Sequence, residues 1–121
     1  MIKFSRLNKT WLLDVDGTLV KHNGYLTGRE ELLPGTVDFF QKIPESDKII
    51  LLTSREAEFK DELIKFLFRH NLRFDHIICD LPPGERILIN DSKTSGLKTA
   101  YAFNKQRNAP LDFVWEIDEN I

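Results

Sequence analysis

Short aliphatic runs recur along the chain, and each is too short to form a helix. They lie at residues 10–13, 47–52, 74–80 and 86–91, and a last short run occupies residues 113–117. Runs of this length, bounded by polar or turn-forming residues, are typical of buried strands. The sequence therefore predicts five strands, and each of the first four ends on or just before a residue that carries a hydroxyl or carboxylate group.

Segments with apolar residues spaced three and four apart separate these runs and predict helices. The first begins near Pro34 and ends before Pro44, and the other two cover residues 56–71 and 96–107. Strands that alternate with helices predict parallel pairing with both faces of the sheet covered. We therefore predict an α/β fold, a three-layer sandwich around a doubly wound, mainly parallel, Rossmann-like sheet.

One stretch has a different character. Residues 20–32 are polar, and Asn23 followed by Gly24 is a strong turn signal. We expect a short hairpin or flap here, within a single domain that covers residues 1–121. Its ring-bearing and charged residues, Lys21, His22, Tyr25 and Arg29, could overhang a site at the strand ends, although His22 is more typical of a solvated loop histidine.

Composition and charge narrow the classes of function. The chain has 121 residues, and 17 basic against 19 acidic residues leave a net charge of -2, so no global field attracts nucleic acid or an anionic membrane. The single cysteine, Cys79, cannot form an internal disulfide and lies in an apolar run. Neither a signal peptide nor a membrane-spanning stretch is evident, so we expect a cytoplasmic protein with no membrane partner.

The end of the first strand carries the most specific chemistry. Asp14 and Asp16 are two residues apart, so on a strand they leave on the same side, and carboxylates held so close repel unless a cation or a proton intervenes. Gly17 lets the backbone turn, and Thr18 adds a hydroxyl. This pattern indicates either a hard-metal site or an acidic turn that closes the strand. In parallel sheets ligands bind beyond the carboxyl ends of the strands, where Thr53 and Asp91 also lie.

A hydrophobic strand followed by Asp-Val-Asp-Gly-Thr-Leu at residues 14–19 resembles the first motif of the haloacid dehalogenase-like (HAD) superfamily, whose members are mostly magnesium-dependent phosphatases. The resemblance implies that Asp14 is a nucleophile that forms an aspartyl-phosphate and that Asp16 is the general acid and base. It implies that Thr53, with adjacent backbone N–H groups including that of Ser54, binds the phosphoryl group. A strand-end threonine that caps the next helix is the alternative for Thr53.

The same resemblance implies a Mg²⁺ cofactor held by the Asp14 carboxylate, by Asp16 through its carbonyl, and by Asp91, which matches the fourth motif. Two departures from the family pattern stand out. A second acidic residue is usual beside Asp91 or about four residues later, where this chain has Ser92 and Ser95. The cationic residue of the third motif also has no clear match. Motif order favours Arg86, position at the catalytic end favours Lys93, and Arg55 lies beside Thr53, so the choice stays open.

The chain has no room for a cap domain, so it resembles capless members of the family. A capless site is open to solvent, closed by a neighbouring subunit, or shielded by a bulky substrate. Trp11, Phe113 and Trp115 could then belong to a homo-oligomer surface or to the core, of which core packing is the more usual role. The expected function is hydrolysis of a small-molecule phosphate ester, with a sugar phosphate of surface-polysaccharide synthesis as a narrower hypothesis.

Three alternatives compete with this interpretation. A phosphatase acting on nucleic-acid ends is opposed by the balanced charge. A receiver-like signalling domain has this length and a phosphorylated aspartate after its third strand, where this chain has Asp80, but its acidic pair is not followed by Gly-Thr-Leu. A catalytically dead HAD domain used for binding would be consistent with Ser95 and is opposed by the intact Asp14 and Asp16.

Overall fold

Three parallel strands form the sheet that holds the first motif. The structure, a computed structural model, describes residues 1–121. Strand β2 (Thr10–Asp14) pairs with β3 (Lys48–Leu52), which pairs in turn with β4 (His76–Ile78), in the order β2-β3-β4. Asp14 is in register with Leu52, and Leu52 with Ile78, so all three strands end at the same edge of the sheet.

A second, smaller sheet joins distant parts of the chain. Strand β1 (Ile2–Phe4) pairs in parallel with β5 (Trp115–Ile117). Aromatic side chains connect the two sheets, since the ring centroids of Trp11 and Trp115 lie 4.9 Å apart and those of Phe4 and Trp11 lie 6.0 Å apart. Trp11, Phe113 and Trp115 therefore pack against the hydrophobic core, in keeping with the more usual of their two predicted roles.

Two helices cover the central sheet. Helix α1 (Thr36–Gln41) contributes Phe39 and Phe40 to the core, and helix α2 (Lys60–Arg69) follows a 3-10 turn at Ala57–Phe59. On α2 the apolar residues recur at helical spacing, which places one face of the helix on the core. The buried residues of that face are Leu63, Phe66 and Leu67. None of the helices has the length and apolar character needed to cross a membrane.

The α/β class predicted from the sequence is confirmed, and most of the predicted elements are present. Helices and strands occur within one residue of the ranges predicted for residues 10–13, 34–43, 47–52, 56–71, 74–80 and 113–117. The last strand, however, pairs with β1, for which no strand was predicted. The strands lie in two small parallel sheets.

The prediction is wrong for residues 86–91 and 96–107, because residues 79–114 contain neither strand nor helix. In the first of these segments Ile87 is 83% exposed and Ile89 is 91% exposed. An aliphatic run becomes a strand only where its backbone meets a sheet edge, and the preceding Pro82 and Pro83 have no N–H group to pair with one. Side-chain hydrogen bonds form instead, since Asn90 Nδ2 donates to the Thr99 carbonyl (3.2 Å).

The polar loop at residues 20–32 is closed at its base. Val20 and Leu32 form an antiparallel bridge, and Lys21 N donates to the Glu31 carbonyl (3.0 Å). A 3-10 turn at Gly24–Leu26 shapes the tip. We call residues 20–32 the flap.

Candidate functional site

Asp14 ends β2 with its carboxylate at the edge where the parallel strands finish. Its Oδ2 accepts a hydrogen bond from Thr18 Oγ1 (2.9 Å), and its Oδ1 accepts one from Arg86 Nη1 (2.8 Å). The Asp14 and Arg86 side chains are both more than a third exposed. Asp14 is therefore oriented on one side by its own turn and on the other by a distant arginine, and it stays accessible to solvent.

Asp16 lies two residues later and has a different set of partners. Arg55 holds it in bidentate fashion, through Nε to Oδ2 (3.1 Å) and Nη2 to Oδ1 (2.9 Å). Thr53 Oγ1 lies 3.3 Å from Oδ2. A paired guanidinium and carboxylate in this geometry form one of the stronger charge-assisted contacts in proteins. Each of the two motif carboxylates thus has its own arginine, and the like charges of Asp14 and Asp16 are separately balanced.

Arg55 is the most buried charged residue of the site, with only 2% of its surface exposed. Its Nη2 also donates to Glu30 of the flap, and its guanidinium lies over the Tyr25 ring, 4.0 Å from the ring centroid. Burial opposes the charged guanidinium, but the hydrogen bonds to Asp16 and Glu30 outweigh it, so the pKa of Arg55 is raised. Arg55 therefore ties the end of the central sheet to the flap.

The Thr53 side chain is almost fully buried at the end of β3. Its Oγ1 accepts from Arg55 N (3.0 Å) and closes the turn after the strand, but it does not cap the next helix, because the helical segments that follow begin after Glu56 and Phe59. The same oxygen lies beside Asp16, which is compatible with the phosphate-binding role implied by the family. Ser54 is exposed next to it.

Two of the three candidate cationic residues contact a carboxylate of the first motif, and the third does not. Arg86 contacts Asp14 and Arg55 contacts Asp16, whereas Lys93 is exposed and takes part in no ion pair. Arg86 is thus the candidate in contact with the predicted nucleophile, as motif order favours.

Asp91 lies apart from this arrangement. It is exposed, and its backbone carbonyl accepts from Thr99 Oγ1 (2.6 Å). No group of three or more His, Cys, Asp or Glu residues is arranged to hold a metal ion. Mg²⁺ needs about six oxygen ligands, and here the carboxylates of Asp14 and Asp16 are engaged by arginines. The donors that are gathered at the strand ends therefore do not by themselves make a complete magnesium site.

Two residues at the site were not predicted. Glu30 pairs with Arg55, and Lys105 Nζ donates to the Gly17 carbonyl (3.0 Å) in the loop that follows Asp16. Burial lowers the pKa of Lys105, while the negative charges of Asp112 and Asp14 act in the opposite direction. Neither residue belongs to a motif, and a lysine at the end of a predicted helix is typical of a surface charge, so the sequence held no signal for either contact.

Asp80, the acceptor expected for a receiver domain, has a structural contact in this arrangement. It adopts a left-handed backbone conformation (φ 60°), and its Oδ1 accepts from Ala57 N (3.2 Å). Asp80 thus connects the turn after β4 to the 3-10 turn that precedes α2.

No protein-family model, curated protein or solved structure matches the chain. The resemblance to the HAD superfamily therefore depends on the motif residues alone, and the function must be argued from their arrangement.

Proposed function

We propose that the chain is a phosphomonoesterase that acts through an aspartyl-phosphate on Asp14. The observation that supports this proposal best is the placement of the Asp14 carboxylate. It is accessible at the carboxyl edge of a parallel sheet, oriented by Thr18 and accompanied by Arg86, with Asp16 and Thr53 close by. That edge is where ligands bind in open parallel sheets.

In the proposed reaction an oxygen of the Asp14 carboxylate attacks the phosphorus of a monoester, and the bond from phosphorus to the ester oxygen breaks. Asp16, which takes up a proton from solvent once it has released Arg55, passes this proton to the departing oxygen, which leaves as an alcohol. A water molecule then loses a proton to Asp16 and attacks the phosphorus of the aspartyl-phosphate. Inorganic phosphate leaves, and both aspartates return to their starting states.

The ion pairs of the site must be exchanged for this chemistry to proceed. Arg86 would release Asp14 and bind the phosphoryl oxygens, because a guanidinium matches the geometry of phosphate as well as that of carboxylate. Asp16 would similarly release Arg55 to reach the ester oxygen. Thr53 and the backbone N–H of Ser54 would stabilise the transferring group.

A magnesium requirement is part of the proposal. Bound Mg²⁺ supplies the positive charge that offsets repulsion between Asp14 and the phosphate oxygens. Its protein donors would be the Asp14 carboxylate, the Asp16 carbonyl and Asp91. Asp91 would have to approach Asp14, as it would if residues 86–91 paired along the free edge of β2 in the doubly wound, three-layer arrangement. The substrate proposed is a small phosphate ester, such as a sugar phosphate, in the cytoplasm.

Turnover of para-nitrophenyl phosphate with Mg²⁺ tests the proposal directly. Asp14→Asn should lower the rate by at least about 10³-fold, since the amide cannot act as the nucleophile. Asp16→Asn should nearly abolish the rate, and removal of Mg²⁺ by EDTA should do the same. Asp38→Asn, an exposed acid on α1, is the matched control and should keep full activity.

Two results would defeat the proposal. One is the lack of turnover by the unmodified protein over a panel of sugar phosphates, nucleotides and phosphorylated nucleic-acid ends with Mg²⁺. The other is labelling of Asp80 rather than Asp14 by acetyl phosphate, detected by mass spectrometry, which would favour a receiver-like domain.

A further inference from the structure

A cleft lies between residues 25–30 of the flap and helix α2. It has a volume of about 390 Å³. Its apolar lining consists of three aromatic rings, Tyr25, Phe59 and Phe66, and the Tyr25 and Phe59 rings meet edge to face with centroids 5.1 Å apart. The cleft is separate from the Asp14 carboxylate, and none of the proposed chemistry uses it.

Arg55 lines this cleft with an unused hydrogen-bond donor. Its Nε and Nη2 are engaged by Asp16 and Glu30, whereas Nη1 is buried and has no acceptor among the atoms of the protein. Leaving a buried polar group without a partner costs about 1–3 kcal/mol. Tyr25 covers one face of the guanidinium, and the N–H groups donate in the plane of that group, so an acceptor must approach Nη1 in that plane.

The charges around Arg55 restrict what an acceptor in the cleft can be. Asp16 and Glu30 already place two carboxylates on the single guanidinium, and at the cleft Glu62 and Arg69 add one charge of each sign. The surroundings of Nη1 are therefore net negative, so an incoming anion would be repelled. A cation has no lone pair to offer to an N–H donor. An uncharged oxygen, in a carbonyl, amide or hydroxyl group, satisfies both conditions.

We propose that this cleft binds an uncharged, ring-bearing group that packs among Tyr25, Phe59 and Phe66 and accepts a hydrogen bond from Arg55 Nη1. Aromatic walls provide contact area, and the guanidinium donor fixes the orientation, as is usual for small-molecule sites. Because Arg55 also binds Asp16, a ligand bound to Arg55 would affect the position of Asp16, just beyond the end of β2. The proposal concerns binding and does not depend on phosphatase activity.

Three probes test this proposal, and each contains one phenyl ring but has a different charge. Benzamide, benzoate and benzylamine would be titrated into the ¹⁵N-labelled full chain, with the Arg55 Nε–H and Gly28 N–H signals followed by NMR. Benzamide should give saturable shifts at both signals. Benzoate should bind at least about tenfold more weakly because the net negative surroundings of Nη1 repel it, and benzylamine because its ammonium group offers no acceptor to Nη1.

Variants separate the cleft from nonspecific binding. Phe59→Ala removes one aromatic wall and should weaken benzamide binding severalfold, whereas Phe68→Ala, on the 82% exposed residue of α2, should leave it unchanged. Arg55→Lys keeps the charge and removes Nη1, so it should weaken benzamide by about tenfold. If Arg55→Lys does not fold, the comparison of Phe59→Ala with Phe68→Ala still tests the proposal.

The proposal is overturned if benzoate binds as tightly as benzamide, if none of the three probes gives saturable shifts, or if Phe59→Ala binds benzamide like the unmodified chain.

Discussion

At the residue scale, Asp47 stabilises the contact between β2 and β3. It is almost fully buried just before β3, and its carboxylate accepts from Lys9 N (3.0 Å) and from Trp11 Nε1 (3.0 Å). Both donors belong to β2 or to the residue that precedes it. Asp47 therefore fixes the relative position of β2 and β3, on which the placement of Asp14 depends.

Asp47→Asn should lower the free energy of unfolding by about 1–3 kcal/mol, because the amide keeps only one acceptor oxygen and leaves one buried donor unpaired. Urea unfolding at pH 7, followed by tryptophan fluorescence, measures this difference. Glu45→Gln, at an exposed position two residues earlier, should unfold at the same urea concentration as the original chain. Equal stability of the two variants would mean that the Asp47 contacts contribute nothing.

The residues of the site could be predicted more readily than their pairings. The expectation that Asp14, Thr53 and Asp91 meet at one edge followed from their positions after short aliphatic runs. The parallel strands bring Asp14 and Thr53 to that edge, whereas Asp91 follows a segment that forms no strand. The pairing of Arg55 with Glu30 depends on how the flap folds back, and that of Arg86 with Asp14 depends on the path of a segment without regular structure. Neither path is encoded in local periodicity.

At the element scale, the start of α1 depends on a glycine with a left-handed backbone. Gly35 has φ 89°, and a Cβ atom there would collide with the Leu111 carbonyl oxygen. Leu111 N in turn donates to the Pro34 carbonyl (2.8 Å). The close approach of these two segments therefore requires residue 35 to lack a side chain.

Gly35→Ala should cost roughly 2–5 kcal/mol of stability, since backbone strain and overpacking act together. Gly28 is the matched control because it has φ 71° but open space around the missing Cβ. Gly28→Ala should cost only about 1–2 kcal/mol, the strain alone. Thermal unfolding of both variants measures the difference, and equal losses would show that the contact with Leu111 is not tight.

Strand β3 also has an anchor that depends on pH. Asp75 Oδ2 accepts from Ile49 N (2.8 Å), and this hydrogen bond, with the nearby charges of Lys48 and Arg73, lowers the pKa of Asp75. A carboxylate whose pKa is lowered by folding stabilises the protein fully above its unfolded pKa, near 3.9, and that stabilisation is lost as the pH falls through the lower folded value.

Asp75→Asn should therefore lose less stability than the original chain when the pH is lowered from 6 to 3. Urea midpoints at successive pH values test this expectation. Glu45→Gln, at an exposed position outside the helices and strands, is the matched control and should show the same change with pH as the original chain. Parallel curves for Asp75→Asn and the original chain would contradict the proposed linkage.

Most of the predicted elements are present, and the exceptions are the strand at residues 86–91 and the helix at residues 96–107. Helix α2 follows from apolar residues at helical spacing, and β3 follows from an aliphatic run of which Ile49 and Leu51 are buried in the core. The run at residues 86–91 is also aliphatic at its centre, but it pairs with no strand and its side chains are exposed. A strand forms only where a second strand is available to pair with it, and the composition of one segment does not specify that partner.

At the scale of the whole molecule, regular structure is confined to residues 2–78 and 115–117, and the intervening segment is largely exposed. Exposed backbone without helix or strand opens at low cost and is cut readily by proteases. The two ends of this segment stay close to the folded body, since Leu81 N donates to the Thr53 carbonyl (3.2 Å) and Leu111 N to the Pro34 carbonyl.

Limited trypsin digestion should cut after Lys93 and Lys98 at least about tenfold faster than after Lys65, which is exposed on α2 but lies within a folded helix. Mass spectrometry of the first fragments identifies the sites. A double variant, Lys93→Gln with Lys98→Gln, should lose these early products. Resistance of both sites would instead favour the predicted strand at residues 86–91 and helix at residues 96–107.

The pairing of β1 with β5 determines how the protein would respond to mechanical force. The two strands are parallel, with Ile2 opposite Trp115 and Phe4 opposite Ile117. A pull applied at Ile2 and at Ile117 in opposite directions would slide one strand along the other and load all their hydrogen bonds at once. The bonds would have to break together rather than one after another, so the smallest sheet would act as a shear clamp that protects the rest of the molecule from a pull on its ends.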